Sequence, residues 1–282
     1  MKPSIETIDF HGIEAFRLQA ASGARAIVSR LGGQVLSWQT ADQRERLFLS
    51  ERAVFDGSRS IRGGIPVCFP QFSGLGELPK HGLLRTVPWD DAGQNCRDGY
   101  AMLSLARDAD AASRALWPHE FHVEVTVVLE ANRLDVELSV DNTGDGPFSF
   151  TGALHSYLRV KEVEQTHLQG LTGLEFRDAA KGNQIRRDGA AELTVEDEVD
   201  RVYHRATKPL LLSGDGNLAI HHEGFPDAVV WNPWEKLCAT LPDMAPLEFR
   251  RMLCVEAAVA RQPIALAAGE SWYGRQSFVA LS

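Results

Sequence analysis

The stretch FHVEVTVVLEANRLDVELSVDNTG, residues 121–144, constrains the fold more than any other part of the sequence. Its apolar residues alternate with mostly polar ones in two runs, which are joined by a short polar turn around Ala131 and Asn132. A period of two is the pattern of a β-strand with one buried face. Two such runs around a short turn predict an antiparallel hairpin.

Strand-like runs recur along the chain, and helical periodicity is scarce. The further strand candidates are GYAMLSLARD, THLQGLTGLEFRD, KPLLLSG, NLAIHHEG, DAVVWNP, RRMLCVEAA and ESWYGRQSFVAL. Only DADAASRALWP and APLEFRR indicate short helices, and no βαβ alternation or Pro-, Gly- or Ser-rich linker divides the sequence. Many strands at short spacing predict an all-β fold of antiparallel sheets, a large sandwich or barrel. We expect residues 1–282 to form a single domain.

The charge and hydropathy of the chain argue against several classes of partner. A formal net charge of −9 disfavours non-specific binding to nucleic acid or to an anionic membrane. No apolar run approaches the roughly 20 residues of a membrane span, and the start MKPSIETIDF lacks the apolar core of a signal peptide. The four cysteines form no CxxC pair, which favours reduced thiols. We expect a cytoplasmic monomer without a nucleic-acid or membrane partner.

The stretch PFSFTGALHSYLRV, residues 147–160, predicts a strand with a histidine on its more polar face. Alternation places His155 on the same face as Tyr157 and Arg159, where the three side chains could share a cleft. Imidazole has an ordinary pKa of about 6.5, which suits proton transfer at neutral pH. From these residues alone a purely structural histidine remains the alternative.

Glu256 stands in RRMLCVEAAVA, which predicts a strand that is apolar on both faces and therefore buried. A buried carboxylate is costly unless it is partnered, and desolvation raises its pKa towards the range of a general base. The alternative is an ion pair with Arg250 or Arg251.

Residues 56–90 form a long irregular segment that is rich in glycine, proline and aromatic residues. It carries Arg62, Lys80 and Arg85, whose side chains suit phosphate or carboxylate, and glycines that let the backbone approach a ligand. A long irregular connection in a compact fold is more often functional than idle. We expect either an anion site or scattered surface cations, and His81 either binds a ligand hydroxyl or caps a turn.

Metal and nucleotide motifs give no comparable signal. His221 and His222 are adjacent in a strand candidate, so their side chains point to opposite faces and are poorly placed to bind one ion. Complete GxGxxG and P-loop patterns are missing. Asp200 lies beside Arg201 in what reads as a solvated acidic loop. We expect no metal site.

Five segments, in the order RGGIPVCFPQF, KHGLLR, FTGALHSYLRV, DEVDRVY and VVWNPWEK…FRRMLCVEAA, resemble the glucose-6-phosphate 1-epimerases (D-hexose-6-phosphate mutarotases) of the aldose 1-epimerase superfamily. The resemblance implies a galactose mutarotase-like β-supersandwich, which agrees with the number of strand candidates. It implies an isomerase that interconverts the α and β anomers of glucose 6-phosphate or a similar hexose 6-phosphate. It also implies a small-molecule substrate and no cofactor.

The same resemblance implies a role for each candidate residue. His155 matches the general acid and Glu256 the general base. The residues that match substrate-binding positions are Arg62, Lys80, His81, Arg85, Asp200 and Trp231. Arg62 and Arg85 correspond to residues that hold the sugar phosphate, whereas Lys80 stands where many relatives carry glutamine.

The remaining parts of the site follow from the resemblance in less detail. Asp200 matches a position that binds sugar hydroxyls, and His81 and the segment 231–234 (WNPW) match pocket lining. CFPQF carries Phe69 and Gln71 where tryptophans are common, which leaves the shape of the pocket floor open. The alternatives are an aldose 1-epimerase that acts on neutral sugars, a non-catalytic sugar-phosphate-binding protein, and a glycosidase with two carboxylates.

Overall fold

Antiparallel strands and irregular connections make up most of residues 2–281, the part of the chain that the computed structural model describes. The strands are β1 Ser4–Phe10, β2 Ile13–Gln19, β3 Arg25–Ser29, β4 Val35–Gln39, β5 Val67–Cys68, β6 Asp90–Arg97, β7 Tyr100–Asp108, β8 Phe121–Leu129, β9 Arg133–Asn142, β10 Phe148–Leu154, β11 Tyr157–Arg159, β12 His167–Gln169, β13 Glu175–Asp178, β14 Gln184–Arg187, β15 Glu192–Leu193, β16 Val199–Tyr203, β17 Leu210–Ser213, β18 Asn217–Glu223, β19 Asp227–Asn232, β20 Met252–Leu266 and β21 Ser271–Leu281. The α-helices are α1 Ala111–Leu116 and α2 Trp234–Cys238, and 3-10 turns cover Val163–Gln165, Ala179–Lys181 and Glu248–Arg251. None of the helices in this part of the chain is long and apolar enough to cross a membrane.

The strands of residues 2–281 form three antiparallel sheets. One is β1-β2-β3-β4, and a second has the order β15-β12-β17-β18-β21-β9-β8-β7-β6. The third has the order β14-β13-β16-β19-β20-β10-β5, with β11 also paired to β20. A cluster of buried hydrophobic side chains draws on all three sheets, for example Phe16, Val125 and Val230. The predicted all-β class of antiparallel sheets with few short helices is confirmed.

The hairpin predicted from residues 121–144 is confirmed as β8 and β9, with Phe121 opposite Asn142 and Leu129 opposite Leu134. The odd-numbered residues of β8 are buried and the even-numbered ones are partly exposed. Full burial of a valine such as Val125 stabilises the fold by roughly 1.5–3 kcal/mol, so this register is strongly specified.

The prediction of one continuous strand over residues 147–160 is wrong. Strand β10 ends at Leu154 and β11 begins at Tyr157. Between them the His155 N–H donates to Pro66 O at 2.9 Å and the Ser156 N–H donates to Leu154 O at 3.0 Å. These bonds, one of them to a segment 89 residues earlier in the chain, replace the regular ladder, and a sequence pattern cannot show them.

Two further strand and helix predictions are corrected. THLQGLTGLEFRD forms β12 and β13, which lie in different sheets because the chain turns at Gly170 and Gly173, with φ of 105° and 80°. APLEFRR contains a 3-10 turn at Glu248–Arg251 rather than an α-helix, whereas DADAASRALWP does contain α1, whose N-cap Asp110 accepts a hydrogen bond from the Ser113 N–H.

The segment 56–90 is irregular, as predicted, apart from β5 and the first residue of β6. It is fastened to the strands that flank His155. Cys68 of β5 lies opposite Ala153 of β10, and the Tyr157 N–H of β11 donates to Gly64 O at 2.9 Å. The segment therefore holds a fixed place beside the β10–β11 junction.

Candidate active site

A cleft of about 260 Å³ opens on the eight-stranded sheet, between that sheet and the segment 56–90. Every residue of the predicted site contributes to its lining. These residues are Arg62, Lys80, His81, Arg85, His155, Asp200, Trp231 and Glu256. The structure thus brings together residues that lie up to 194 positions apart in the chain.

The register of the sheet sets His155 against Glu256. Leu154 pairs with Ala257 and Tyr157 pairs with Cys254, so the antiparallel spacing leaves His155 directly opposite Glu256 across the β10–β11 junction. His155 Nδ1 lies 3.4 Å from Glu256 Oε1. The two side chains are 9% and 1% exposed.

The pair is close but lacks the alignment of a hydrogen bond. His155 Nδ1 and Glu256 Oε2 are both buried with no hydrogen-bond partner among residues 2–281. Burial lowers the pKa of His155 well below its ordinary value, and nearby His81, Arg85 and Arg62 add to this. Burial raises the pKa of Glu256 well above its ordinary value, and the charge of Asp200 adds to that. Both shifts favour the uncharged pair, neutral imidazole and protonated carboxyl.

Two aromatic rings fix the orientation of His155. The Tyr157 ring stacks on the imidazole with centroids 4.8 Å apart and an interplanar angle of 9°. The Trp231 ring meets the imidazole edge-on at 6.1 Å. Tyr157 and Trp231 pair with Cys254 from the two strands that flank β20. Their rings therefore pack against the neighbouring row of the sheet, which carries His155 and Glu256.

Arg62 owes its position to the two glycines that follow it. A Cβ atom at Gly63 would lie 2.4 Å from Phe48 O, and one at Gly64 would lie 2.0 Å from Val35 O. Because only glycine allows such close contacts, the backbone at Gly63 and Gly64 lies directly against that of Phe48 and Val35. This path directs the Arg62 guanidinium towards Tyr157. Arg62 donates to the Tyr157 hydroxyl at 3.0 Å.

The Arg62 guanidinium has one anionic partner, Asp243, at 3.2 Å. Burial disfavours its charge, but Tyr157 and Asp243 outweigh burial and raise the pKa of Arg62. Its Nε is buried without a hydrogen-bond partner among residues 2–281. Arg62 therefore stays charged and keeps a donor free.

Lys80 and Arg85 are cations without a carboxylate at ion-pair distance anywhere in residues 2–281. Arg85 donates to the backbone oxygen of Lys80 at 2.8 Å, and both residues line the cleft. The cleft therefore contains positive charge that the protein does not neutralise, as an anion site requires.

His81 is held as a neutral hydrogen-bond donor. Its Nδ1 accepts from the Ser73 N–H at 3.3 Å and lies 3.2 Å from the Cys68 thiol. Burial, with the charges of Arg85 and Lys80, lowers the pKa of His81 to about 3. Since Nδ1 accepts, the proton of the neutral ring is on Nε2. The ring centroid lies 5.2 Å from that of His155.

Asp200 lies in β16 and not in a solvated acidic loop, so that prediction is wrong. It pairs with Trp231 of β19 and lines the cleft. Burial raises the pKa of Asp200, and Arg177 opposes this shift. Arg177, which also lines the cleft, was not predicted, because its place depends on the pairing of β13 with β16.

Several other residues that the sequence placed near the site lie outside it. Arg159 is exposed on β11 and does not line the cleft, so it does not share the surface of His155. Trp234 packs on Phe249 with ring centroids 5.2 Å apart. Phe69 is fully buried against Phe150 and other rings.

The open question about the floor of the pocket has a structural answer. Gln71 holds its own loop together by bonding to Ser73 O and to both backbone groups of Leu78. Phe72, the next residue, lines the cleft in its place.

The sequence model of the aldose 1-epimerase family matches residues 14–279. The chain belongs to this family. A Cenchrus ciliaris protein named "Putative glucose-6-phosphate 1-epimerase" is 34% identical over 275 residues, which cover 94% of this chain and 84% of that protein. Membership of the aldose 1-epimerase family makes the protein an epimerase that acts on sugars.

Solved structures agree with the assignment to the aldose 1-epimerase family. A protein from Salmonella typhimurium described as a "putative mutarotase" has a TM-score of 0.91 at 25% identity, over 99% of this chain and 94% of that one. A galactose mutarotase-like protein from Clostridium acetobutylicum has a TM-score of 0.79 at 14% identity, over 100% of this chain and 99% of that one, which is a likeness of fold. The predicted galactose mutarotase-like β-sandwich is confirmed.

Proposed function

We propose that the protein interconverts the α and β anomers of a hexose 6-phosphate, with glucose 6-phosphate as the expected substrate. The observation that carries the proposal is the coincidence of two features in one cleft. A histidine and a glutamate stand 3.4 Å apart without a mutual hydrogen bond, and two cations of the same cleft, Lys80 and Arg85, have no carboxylate at ion-pair distance within residues 2–281. The first feature suits proton transfer, and the second suits a phosphate.

Anomer exchange needs two proton transfers at neighbouring atoms. Glu256, as general base, takes the proton of the C1 hydroxyl, and His155, as general acid, protonates the ring oxygen as the C1–O5 bond breaks. Both oxygens are bonded to C1, so an acid and a base a few ångströms apart reach them together. The open-chain aldehyde then rotates about C1–C2 and recloses with the two roles reversed.

The total number of protons on His155 and Glu256 is the same before and after each ring opening. Before opening, the proton is on His155 and Glu256 is ionised; after opening, the imidazole is neutral and the carboxyl is protonated. Burial favours the second arrangement. A phosphate beside Arg62 and Arg85 offsets two of the charges that disfavour protonated His155, and so shifts the proton towards the arrangement that starts the reaction.

The other residues of the cleft would hold the sugar. Arg62, Lys80 and Arg85 bind the phosphate, and Asp200 accepts hydrogen bonds from sugar hydroxyls. His81 donates through Nε2, and Trp231 contributes an apolar wall. This reaction uses only the acid and base of the chain. We further propose that the protein works as a cytoplasmic monomer in a single domain, with the sugar phosphate as its partner.

The test is NMR exchange spectroscopy on equilibrated glucose 6-phosphate, with glucose and galactose in parallel. We expect protein-dependent exchange of the α and β anomeric protons for the phosphorylated sugar. Exchange on the neutral sugars alone would identify an epimerase for neutral aldoses and contradict the phosphate site. No acceleration on any of the three sugars would contradict the proposed reaction.

Two variants test the acid and base assignment. Glu256→Gln preserves side-chain size, and His155→Asn keeps a polar side chain that cannot titrate. Each should leave binding of glucose 6-phosphate intact and lower turnover by about 10²–10⁴-fold. Binding is measured by calorimetry and turnover by the same exchange experiment. Unchanged turnover in either variant would disprove the role of that residue.

A further inference from the structure

Cys254 lies beside the acid and base pair and has no part in the proposed reaction. It stands two residues before Glu256 on β20, so the two side chains share one face of the sheet. Its backbone partner on one side is Tyr157, two residues after His155. The register thus gathers a thiol, a carboxylate and an imidazole into one triangle of side chains.

The donor atoms of this triangle have the spacing of a metal site. One atom each from His155, Cys254 and Glu256 can be chosen so that all three lie within 4.8 Å of one another. Zinc bonds of 2.0–2.3 Å in a tetrahedral site place ligand atoms roughly 3.3–3.8 Å apart. The contact between His155 and Glu256 is already 3.4 Å, so small side-chain rotations bring the thiol within reach.

Two donor atoms in the triangle are unsatisfied. His155 Nδ1 and Glu256 Oε2 are buried without a hydrogen-bond partner among residues 2–281, in side chains that are 9% and 1% exposed. Unpaired buried polar atoms cost free energy, which a ligand bound to them recovers. Both residues also line the cleft, so an ion has a path to them.

We propose that His155, Cys254 and Glu256 form an inhibitory site for Zn²⁺. Imidazole, thiolate and carboxylate are the three ligand types that zinc takes in proteins. Binding of Zn²⁺ releases one proton from the Cys254 thiol and one from the Glu256 carboxyl, and both protons pass to solvent. The resulting thiolate and carboxylate cancel the charge of the ion, so the bound site adds no net charge beside Arg62 and Arg85. The bound ion occupies the two groups that move protons, and it therefore stops turnover; this last step rests on the proposed function.

Metal binding is measured without reference to activity. Cobalt(II) replaces zinc as the probe, because a bond between cobalt and a thiolate gives a charge-transfer absorption in the near ultraviolet. We expect this band to saturate at one ion per chain in the wild type and to be missing in Cys254→Ser. The matched control is Cys68→Ser, since Cys68 forms a second cysteine–histidine contact, 3.2 Å from His81 Nδ1, and this variant should keep the band.

Either of two spectral results would overturn the proposal: no charge-transfer band in the wild type, or a band that Cys254→Ser retains. Should Cys254→Ser fold poorly, Cys254→Ala serves in its place, and the wild-type titration remains decisive alone.

Inhibition is measured by anomer exchange on glucose 6-phosphate in a buffer that fixes the concentration of free Zn²⁺. We expect Cys254→Ser to match wild-type turnover without zinc. Half inhibition of this variant should need at least about tenfold more zinc than half inhibition of the wild type. Equal inhibition of the two proteins would overturn the proposal. Turnover without zinc tests the proposed function by itself, so a failure of the reaction and a failure of the metal site give different results.

Discussion

Replacement of Glu256 by glutamine should make the protein more stable while it removes activity. Burial raises the pKa of this carboxyl, so the folded protein keeps a proton that the unfolded chain releases above a pH of about 4.5. The stability that comes from this group is complete below that pH and is lost as the pH rises towards the folded pKa. Glutamine has the same size and cannot ionise, so the Glu256→Gln protein does not lose this stability as the pH rises.

The difference in unfolding free energy between Glu256→Gln and the wild type therefore grows with pH. Its slope is at most about 1.4 kcal/mol per pH unit, which amounts to roughly 3 kcal/mol as an upper limit between pH 5 and pH 7. Urea denaturation of both proteins across this range measures the difference.

Glu248→Gln is the matched control. Glu248 is also a buried carboxylate, but it accepts hydrogen bonds from the Ser50 hydroxyl and from the backbone N–H groups of Glu51 and Ala245. Loss of part of this network should destabilise the protein by about 1–3 kcal/mol, the opposite sign. A Glu256→Gln protein that is no more stable than the wild type, or whose advantage does not widen with pH, would refute the reasoning.

Three further variants test the phosphate site, the sugar site and the backbone. Arg85→Ala should raise KM for glucose 6-phosphate about tenfold or more and barely change residual activity on glucose; proportional losses would mean a structural role. Asp200→Asn should raise KM for both sugars alike, and an effect on one sugar alone would contradict hydroxyl binding. A Cβ atom at Gly64 would lie 2.0 Å from Val35 O, whereas one at Gly12 would have no atom within 4 Å. Gly64→Ala should therefore lower the unfolding free energy by at least about 1 kcal/mol more than Gly12→Ala does.

The features that the sequence predicted well depend on neighbours in the chain. The β8–β9 hairpin has its pattern, its turn and its partner within 24 residues, so periodicity alone was sufficient. Helix α1 carries its own N-cap at Asp110. The predicted site residues gather in one cleft, although it was the resemblance to a family, and not their spacing, that grouped them.

The features that the sequence missed depend on contacts between distant segments. The break at His155 arises from a bond to Pro66 O, and the place of Arg177 arises from the pairing of β13 with β16. The register that sets His155 opposite Glu256 joins strands 101 residues apart. No local pattern of residues specifies such a register, because it is fixed only when the sheet packs.

The glycine-rich segment and the sheet supply different parts of the cleft. Arg62, Lys80, His81 and Arg85 all come from the irregular segment, whereas His155 and Glu256 are held by the ladder of β20 and its neighbours. Irregular segments accept substitution and changes of length more readily than paired strands do. We therefore expect exchange of the segment to change the substrate preference of the proposed reaction, while His155 and Glu256 keep their positions.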